Sequence, residues 1–146
     1  MKLVDANVLL YAVNRAAPHH EQSVRWLDNA LVGQETIGFS WLVILAFARL
    51  STKLGVVANP LSVDEAVELL EGWLGAPSAV IVEPRSNHIG NLATFLKDVG
   101  VAGNLTSDAH LAAIALEYRA TIVSYDRDFD RFKGIRWERP EFPEGL

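Results

Sequence analysis

The stretch ATIVSYDRDFDRF, residues 120–132, joins a short apolar run to three aspartates at alternating positions. The run TIV is β-branched throughout and predicts a buried strand. Asp126, Asp128 and Asp130 follow where that strand would end. Carboxylates crowded together stay ionised at low cost only when a cation, a helix terminus or water compensates their charge. The compensation that applies to each aspartate therefore decides what this segment does.

Short apolar segments alternate with helical patterns along the rest of the chain. The predicted strands are residues 3–6, 36–40, 79–83, 121–124 and, at the sheet edge, 135–138. The predicted helices are residues 7–13, 18–33, 41–55, 62–75, 88–99 and 107–118, with a Gly-containing loop at 100–104 and a helical turn at 129–132. This alternation is typical of an α/β fold. We expect a three-layer α/β/α sandwich with a short, mainly parallel sheet.

Several helix ends carry specific signals. Ser40 is expected to cap the third helix, and Gly55 to end it. Ser62 and Glu65 form a capping-box pattern at the start of the fourth helix, which Gly75 closes. These signals fix where the third and fourth helices begin and end.

Composition excludes several classes of protein. The length of 146 residues predicts one domain, residues 1–146. Because 50% of the residues are hydrophobic and only 21% are charged, the composition excludes a disordered chain. There is no cysteine, which excludes disulfides, thiolate metal sites and a cysteine nucleophile. The apolar run at 41–48 is too short to span a membrane, and residues 1–13 do not match a signal peptide, so we expect a cytoplasmic protein. A net charge of −5 argues against a wide basic face for nucleic acid but is compatible with a nuclease.

Three acids come from separate segments of the predicted fold. Asp5 and Asp126 follow strands at their carboxyl ends, where open parallel sheets form their crevice. Asp108 lies in the first turn of a helix, where a lone carboxylate would stabilise the helix by its favourable interaction with the helix dipole. Three carboxylates that meet in one crevice are compensated most simply by Mg²⁺ or Mn²⁺, which prefer oxygen ligands. The sequence therefore predicts a metal site with Asp5, Asp108 and Asp126 as ligands.

Two longer segments resemble a known family. DANVLLYA at residues 5–12 and TSDAHLAAIALEYRATIVSYDRDFDRF at 106–132 resemble PIN-domain endoribonucleases, above all the VapC-type toxins of bacterial toxin–antitoxin pairs. The family's D-x-N/S element matches Asp5 and Asn7, its D-A-x-L-A-A helix matches Asp108, and its D-R-D-F element matches Asp126 with Asp128. The resemblance covers essentially the whole chain. It implies a PIN fold, divalent-metal-dependent RNA cleavage, neutralisation by an antitoxin and a homodimer.

The chain departs from this family at one position. Family members carry a Glu in the helix after the second strand, in a pattern like L-A-E-L-x-R, and Ala46 stands there in the segment ILAFAR. This chain therefore has three of the four acids that the family usually carries, and Asn7 or Asp128 supplements them. The alternative function is a non-catalytic PIN-like module that binds RNA or a protein partner. A receiver-type signalling domain is a weaker alternative, because Tyr125 follows the late strand where that class needs a Lys.

Metal-assisted hydrolysis assigns roles to further residues. Asp5, Asp108 and Asp126 are the predicted catalytic residues, and the products should carry 5′-phosphate and 3′-hydroxyl ends. Asp128 is either a further ligand or the cap of the following turn. Four residues are predicted to lie on the substrate side of the site. Asn7 supplies an amide near the metal or the phosphate, and Ser124 supplies a hydroxyl that hydrogen-bonds a ligand or a water. Arg15 and Arg127 are cations that border the crevice.

The remaining histidines and aromatic residues are expected to be structural. His88 has no partner in the sequence and is expected to be a surface residue. His110 lies two residues after Asp108 on the same helix and is therefore expected to point elsewhere. The segment 41–47 is apolar nearly all round, which predicts either central burial or a contact with a second copy or an antitoxin. The basic residues at 127–139 are interleaved with acids, so they form either a phosphate-binding rim or a salt-bridged surface.

Overall fold

A computed structural model describes residues 1–100 and 102–141. Over these residues the chain alternates five strands with six α-helices, as the sequence pattern predicts. The strands are Lys2–Val4 (β1), Ile37–Ser40 (β2), Ala79–Val82 (β3), Thr121–Val123 (β4) and Arg136–Glu138 (β5). The helices are Ala6–Val13 (α1), His20–Val32 (α2), Trp41–Ser51 (α3), Val63–Leu74 (α4), His88–Val99 (α5) and Thr106–Tyr118 (α6). Val101 of the predicted loop lies outside the described residues.

The five strands form one sheet in the order β3-β2-β1-β4-β5, and every pairing is parallel. β1 lies at the centre, where Leu3 pairs with Gly38 of β2 on one side and with Ile122 of β4 on the other. Because the strands are parallel, all their carboxyl ends lie along the same edge of the sheet. The segments that follow β1, β2 and β4 are therefore brought together there.

Helices cover both faces of this sheet. The chain steps from β1 to β2 to β3 in one direction and then returns to β4, so right-handed crossovers place α1–α4 on one face and α5 with α6 on the other. α6 is the most enclosed helix, with a run of buried residues from Leu111 to Ala115. The predicted three-layer α/β/α architecture is confirmed.

The helix-end predictions are confirmed with one exception. Ser40 caps α3, since its Oγ accepts a hydrogen bond from Val43 N at 3.2 Å, and α4 has its full capping box. α3 ends at Ser51 rather than near Gly55. Thr52 Oγ1 donates back to Ala48 O at 2.8 Å, and the chain then turns, with Gly55 at a φ of 86°. The turn chemistry at Thr52 ends the helix before the glycine.

The apolar helix α3 has two distinct faces. Its side chains Val43, Ile44 and Phe47 are buried, and Trp73 of α4 meets Phe47 edge-on at 4.9 Å between ring centroids. Trp41 and Leu45 remain 48% and 63% exposed. Buried core residues and exposed apolar side chains therefore occur on the same helix.

The prediction that His88 has no partner is wrong. His88 Nδ1 lies 2.8 Å from Glu117 Oε2, and His88 Nε2 lies 2.9 Å from His110 Nδ1. The Glu117 side chain is completely buried and also accepts hydrogen bonds from Asn91 Nδ2 and Arg85 N. This polar cluster joins the start of α5 to α6.

Candidate functional site

The predicted acids converge at the carboxyl edge of the sheet. Asp5 follows β1, and its backbone N donates to Val123 O of β4 at 3.0 Å. Asp126 therefore leaves the neighbouring strand close to Asp5, while the first turn of α6 brings Asp108 to the same edge. The charge of Asp126 raises the pKa of both Asp5 and Asp108, and the charge of Asp5 also raises the pKa of Asp108.

Three carboxylates form the tightest group. Asp108, Asp126 and Asp128 each offer an oxygen atom, and these atoms all lie within 4.8 Å of one another. Opposite ligand oxygens of an Mg²⁺ ion lie ~4 Å apart, given metal–oxygen distances of ~2.0–2.1 Å. The three oxygens thus need only a small adjustment to surround one hard cation, and the residues present fit a divalent metal ion.

Asp5 lies beside this trio but is held by the protein. Its Oδ1 accepts from Ala6 N at 2.7 Å, which caps α1, and its Oδ2 accepts from Ser124 Oγ at 2.6 Å. Burial raises the pKa of Asp5, an effect that the hydrogen bonds from Ser124 and Ala6 oppose and the charge of Asp126 reinforces. The Asp5 carboxylate is therefore fixed in orientation before any ligand binds.

Asn7 and Ser124 connect the ends of β1 and β4. Asn7 Nδ2 donates to Ser124 Oγ at 3.0 Å, and Asn7 Oδ1 accepts from Tyr125 N at 3.3 Å. Ser124 is completely buried, and its Oγ also accepts from Asp126 N at 3.0 Å. These two side chains thus hold Asp5 and Asp126 at a fixed separation.

The backbone excludes one of the two alternatives for Asp128. The residue that caps the 3₁₀ turn Arg127–Arg131 is Asp126, whose Oδ1 accepts from Asp128 N at 2.8 Å. The interpretation of Asp128 as the cap is wrong, because the cap lies two residues earlier. Asp128 is instead part of the acidic trio, and it pairs with Arg131 at 3.3 Å. Asp130 is exposed, and it accepts a hydrogen bond from Trp137 Nε1 at 2.7 Å.

The electrostatics of the site favour a bound cation. Burial and the charges of Asp126, Asp5 and Asp128 raise the pKa of Asp108 from its ordinary 3.8 to about 7. A carboxyl with such a pKa is only partly ionised near neutral pH unless positive charge compensates it. A divalent ion between the acids would restore its ionisation.

A cavity of about 190 Å³ opens beside Asp5 and Asp108. Its opposite wall comes from α3 and includes Ala46, the position at which the resembling family carries its Glu. The side chain of Arg49, one turn further along α3, also lines the cavity. Sequence reasoning missed Arg49, although its spacing of three from Ala46 places both residues on one face of the helix.

The two predicted cations lie in different places. Arg127 is exposed and follows Asp126 directly. Arg15 is exposed beyond α1, where it lines a separate cavity of about 360 Å³ with residues of the loop before α4, including Asn59 and Pro60. The structure thus brings Asp5, Asn7, Ser124, Asp126 and the other acids together, while Arg15 borders a neighbouring surface.

The basic residues after β4 have mostly structural partners. Arg131 pairs with Asp128, Arg136 donates to Arg119 O at 3.1 Å, and the Arg139 guanidinium lies 5.8 Å from the centre of the Tyr125 ring. Much of this segment is therefore a salt-bridged and hydrogen-bonded surface.

Comparison with known proteins identifies the family. A model of the PIN domain matches residues 2–135. This chain belongs to the PIN-domain family. Ribonuclease VapC37 of Mycobacterium tuberculosis is 55% identical to this PIN domain over 140 residues, which are 96% of this chain and 97% of that protein. Ribonuclease VapC33 of the same organism is 34% identical over 140 residues, or 96% and 98% of the two chains.

Solved structures agree with the assigned PIN fold. Mycobacterium tuberculosis VapC20, described as a sarcin–ricin loop cleaving toxin, has a TM-score of 0.68 at 14% identity and covers 93% of this chain and 99% of its own. VapBC-1 of nontypeable Haemophilus influenzae gives a TM-score of 0.68 at 15% identity, with 95% and 97% covered. Within the described residues of this PIN domain, none of the helices has the length and apolar character needed to cross a membrane.

Proposed function

We propose that this chain is a divalent-metal-dependent endoribonuclease that hydrolyses RNA phosphodiester bonds as the toxin of a toxin–antitoxin pair. The observation that carries the proposal is an acidic trio at the carboxyl edge of the sheet, in a chain 55% identical to Ribonuclease VapC37. The protein acts in the cytoplasm, and residues 1–146 form its single PIN domain.

The acids are assigned to metal binding and catalysis. Asp108, Asp126 and Asp128 hold Mg²⁺ or Mn²⁺, with Asp5 next to them as a ligand, directly or through water. The metal supplies an activated water and neutralises charge on the phosphate. Asp5, Asp108 and Asp126 are the catalytic residues, and a bound cation relieves their mutual repulsion.

The substrate-side assignment comprises Asn7, Ser124, Arg15 and Arg127. Asn7 and Ser124 act through the acids, because their hydrogen bonds to Asp5 and to the backbone at Tyr125 and Asp126 keep the carboxylates aligned. Arg127, directly after Asp126, and Arg15, beyond α1, are both exposed cations, and they bind RNA phosphates at some distance from the cleaved bond.

The protein partners are a cognate antitoxin and a second copy of this chain. The apolar surface of α3 and α4 supports a protein partner, since Trp41, Leu45, Val63 and Val67 are all exposed there. An antitoxin that covers this surface would close the approach to the acids along α3.

RNA cleavage by the purified chain tests the proposed function. We expect cleavage in Mg²⁺ or Mn²⁺ that stops in EDTA and in the variant Asp126→Asn, with 5′-phosphate and 3′-hydroxyl ends on the products. Asp130→Asn is the matched control, because Asp130 lies in the same turn but outside the trio. Equal inactivity of wild type and Asp126→Asn, together with retained RNA binding, would instead support the non-catalytic module that Ala46 suggests.

A further inference from the structure

The cavity beside the acids has two unlike walls. One wall carries the carboxylates of Asp5 and Asp108. The other comes from α3 and presents Leu42, Ala46 and Arg49, which are spaced by four and three residues and so lie on one helix face. Among the described residues that line this cavity, Arg49 is the only cation. A positive group thus faces two acids across a space of about 190 Å³.

The side chain of Arg49 has no partner in the described part of the chain. Its side chain is exposed, and it forms no hydrogen bond, ion pair or ring contact with any residue of 1–100 and 102–141. Other arginines of the chain have side-chain partners: Arg131 pairs with Asp128, and Arg85 lies 4.4 Å from the centre of the Tyr118 ring. The guanidinium of Arg49 is therefore available to a ligand in the cavity.

An RNA phosphate that enters this cavity is repelled by the acids and requires a cation beside it. A phosphodiester that enters the cavity approaches the carboxylates of Asp5, Asp108, Asp126 and Asp128, and one divalent ion offsets only part of their charge. A guanidinium can donate two parallel hydrogen bonds to the oxygens of one phosphate, which fixes its orientation as well as its position.

We propose that Arg49 binds a backbone phosphate of the RNA substrate inside this cavity. It supplies positive charge from the α3 wall, where Ala46 provides no acid to hold a second cation. This inference rests on the proposed function. Arg49 also lies in the last turn of α3, where any cation interacts favourably with the helix dipole, so the test must separate these two roles.

The variant Arg49→Gln tests the inference, with Lys53→Gln as the matched control. Both changes remove one positive charge at the carboxyl end of α3, but Lys53 does not line the cavity. We expect Arg49→Gln to lower kcat/KM for single-stranded RNA by roughly 10- to 100-fold, the worth of hydrogen bonds to a charged group. The slope of log kcat/KM against log salt should become shallower by about 0.7, the value of one phosphate contact on a single strand.

Two further measurements exclude a merely structural effect. Mn²⁺ affinity, measured by electron paramagnetic resonance without RNA, should be unchanged or slightly tighter in Arg49→Gln, because a nearby positive charge has been removed. Arg49→Lys should recover part of the activity, since it keeps the charge and loses the paired hydrogen bonds. Thermal unfolding should be similar in Arg49→Gln and Lys53→Gln.

The outcomes distinguish this inference from the proposed function. If wild type cleaves RNA with metal and Arg49→Gln matches Lys53→Gln in rate and salt slope, the inference is overturned and the nuclease assignment stands. Weaker Mn²⁺ binding in Arg49→Gln also overturns it, because Arg49 would then be supporting the acids. A wild type without metal-dependent cleavage overturns both.

Discussion

The carboxylate of Asp108 destabilises the metal-free protein, and replacing it by Asn should reveal this. Burial and the charges of Asp126, Asp5 and Asp128 raise the pKa of Asp108 from 3.8 to about 7. Between these two pH values the folded state binds a proton that the unfolded state has released. The free energy of unfolding therefore falls as the pH rises through this range, and the loss is complete above about pH 7.

The size of the effect follows from the pKa shift. A rise of about three units corresponds to roughly 4 kcal/mol, at ~1.4 kcal/mol per unit. Asp108 is only partly buried, and solvent screening reduces this figure. We expect Asp108→Asn to stabilise the metal-free protein by about 1–2 kcal/mol near pH 8, or roughly 2–8 °C in Tm for a domain of this size.

Thermal unfolding in EDTA, followed by circular dichroism, measures this difference. The gain should shrink as the pH falls below about 7 and approach zero below 3.8, where the Asp108 carboxyl is protonated in both the folded and the unfolded state. In excess Mg²⁺ the order should reverse, because the wild type then gains the free energy of metal binding. The control Asp130→Asn should shift Tm little at either pH. A metal-free Asp108→Asn protein that is less stable than wild type near ~pH 8 would refute the reasoning.

Three further predictions concern other parts of the molecule. Ala46→Glu should tighten Mn²⁺ binding or add a second site in titration calorimetry, and unchanged binding would contradict the placement of Ala46 by the acids. Glu117→Gln should cost about 1–3 kcal/mol in urea unfolding at neutral pH, against little for exposed Glu68→Gln. Burial would raise the pKa of Glu117, but hydrogen bonds from Arg85, Asn91 and His88 lower it overall. The difference in unfolding free energy between wild type and Glu117→Gln should therefore fade as the pH drops below ~4.5. Ser62→Ala should lower stability by about 1 kcal/mol through loss of the α4 cap, measured in the same way.

The elements that the sequence predicts well are those with local causes. The capping box at Ser62 and Glu65 involves residues three apart, and the strand before Ser124 is marked by β-branched residues. Asp5 and Asp126 could be placed at one edge because parallel strands end together. Local pattern and sheet geometry thus suffice to find most of the acidic site.

The features that sequence reasoning missed depend on packing between distant segments. His88 meets His110 and Glu117 only because α5 lies against α6, and nothing in its own neighbourhood signals a partner. Arg49 lines the acidic cavity because α3 faces α6 across it. The choice of Asp126 over Asp128 as cap depends on the exact backbone angles after β4, which alternating aspartates do not determine.

The hydrogen bond between Ser124 and Asp5 has a consequence for when the acidic site forms during synthesis of the chain. The two residues are 119 positions apart, and the hydroxyl of one orients the carboxylate of the other. A chain synthesised only as far as the residues before β4 lacks Ser124, Asp126 and Asp128, three polar groups that lie at the same edge of the sheet as Asp5. The first hundred residues therefore contain none of the three acids of the trio. The acidic site is therefore complete only once β4 pairs with β1.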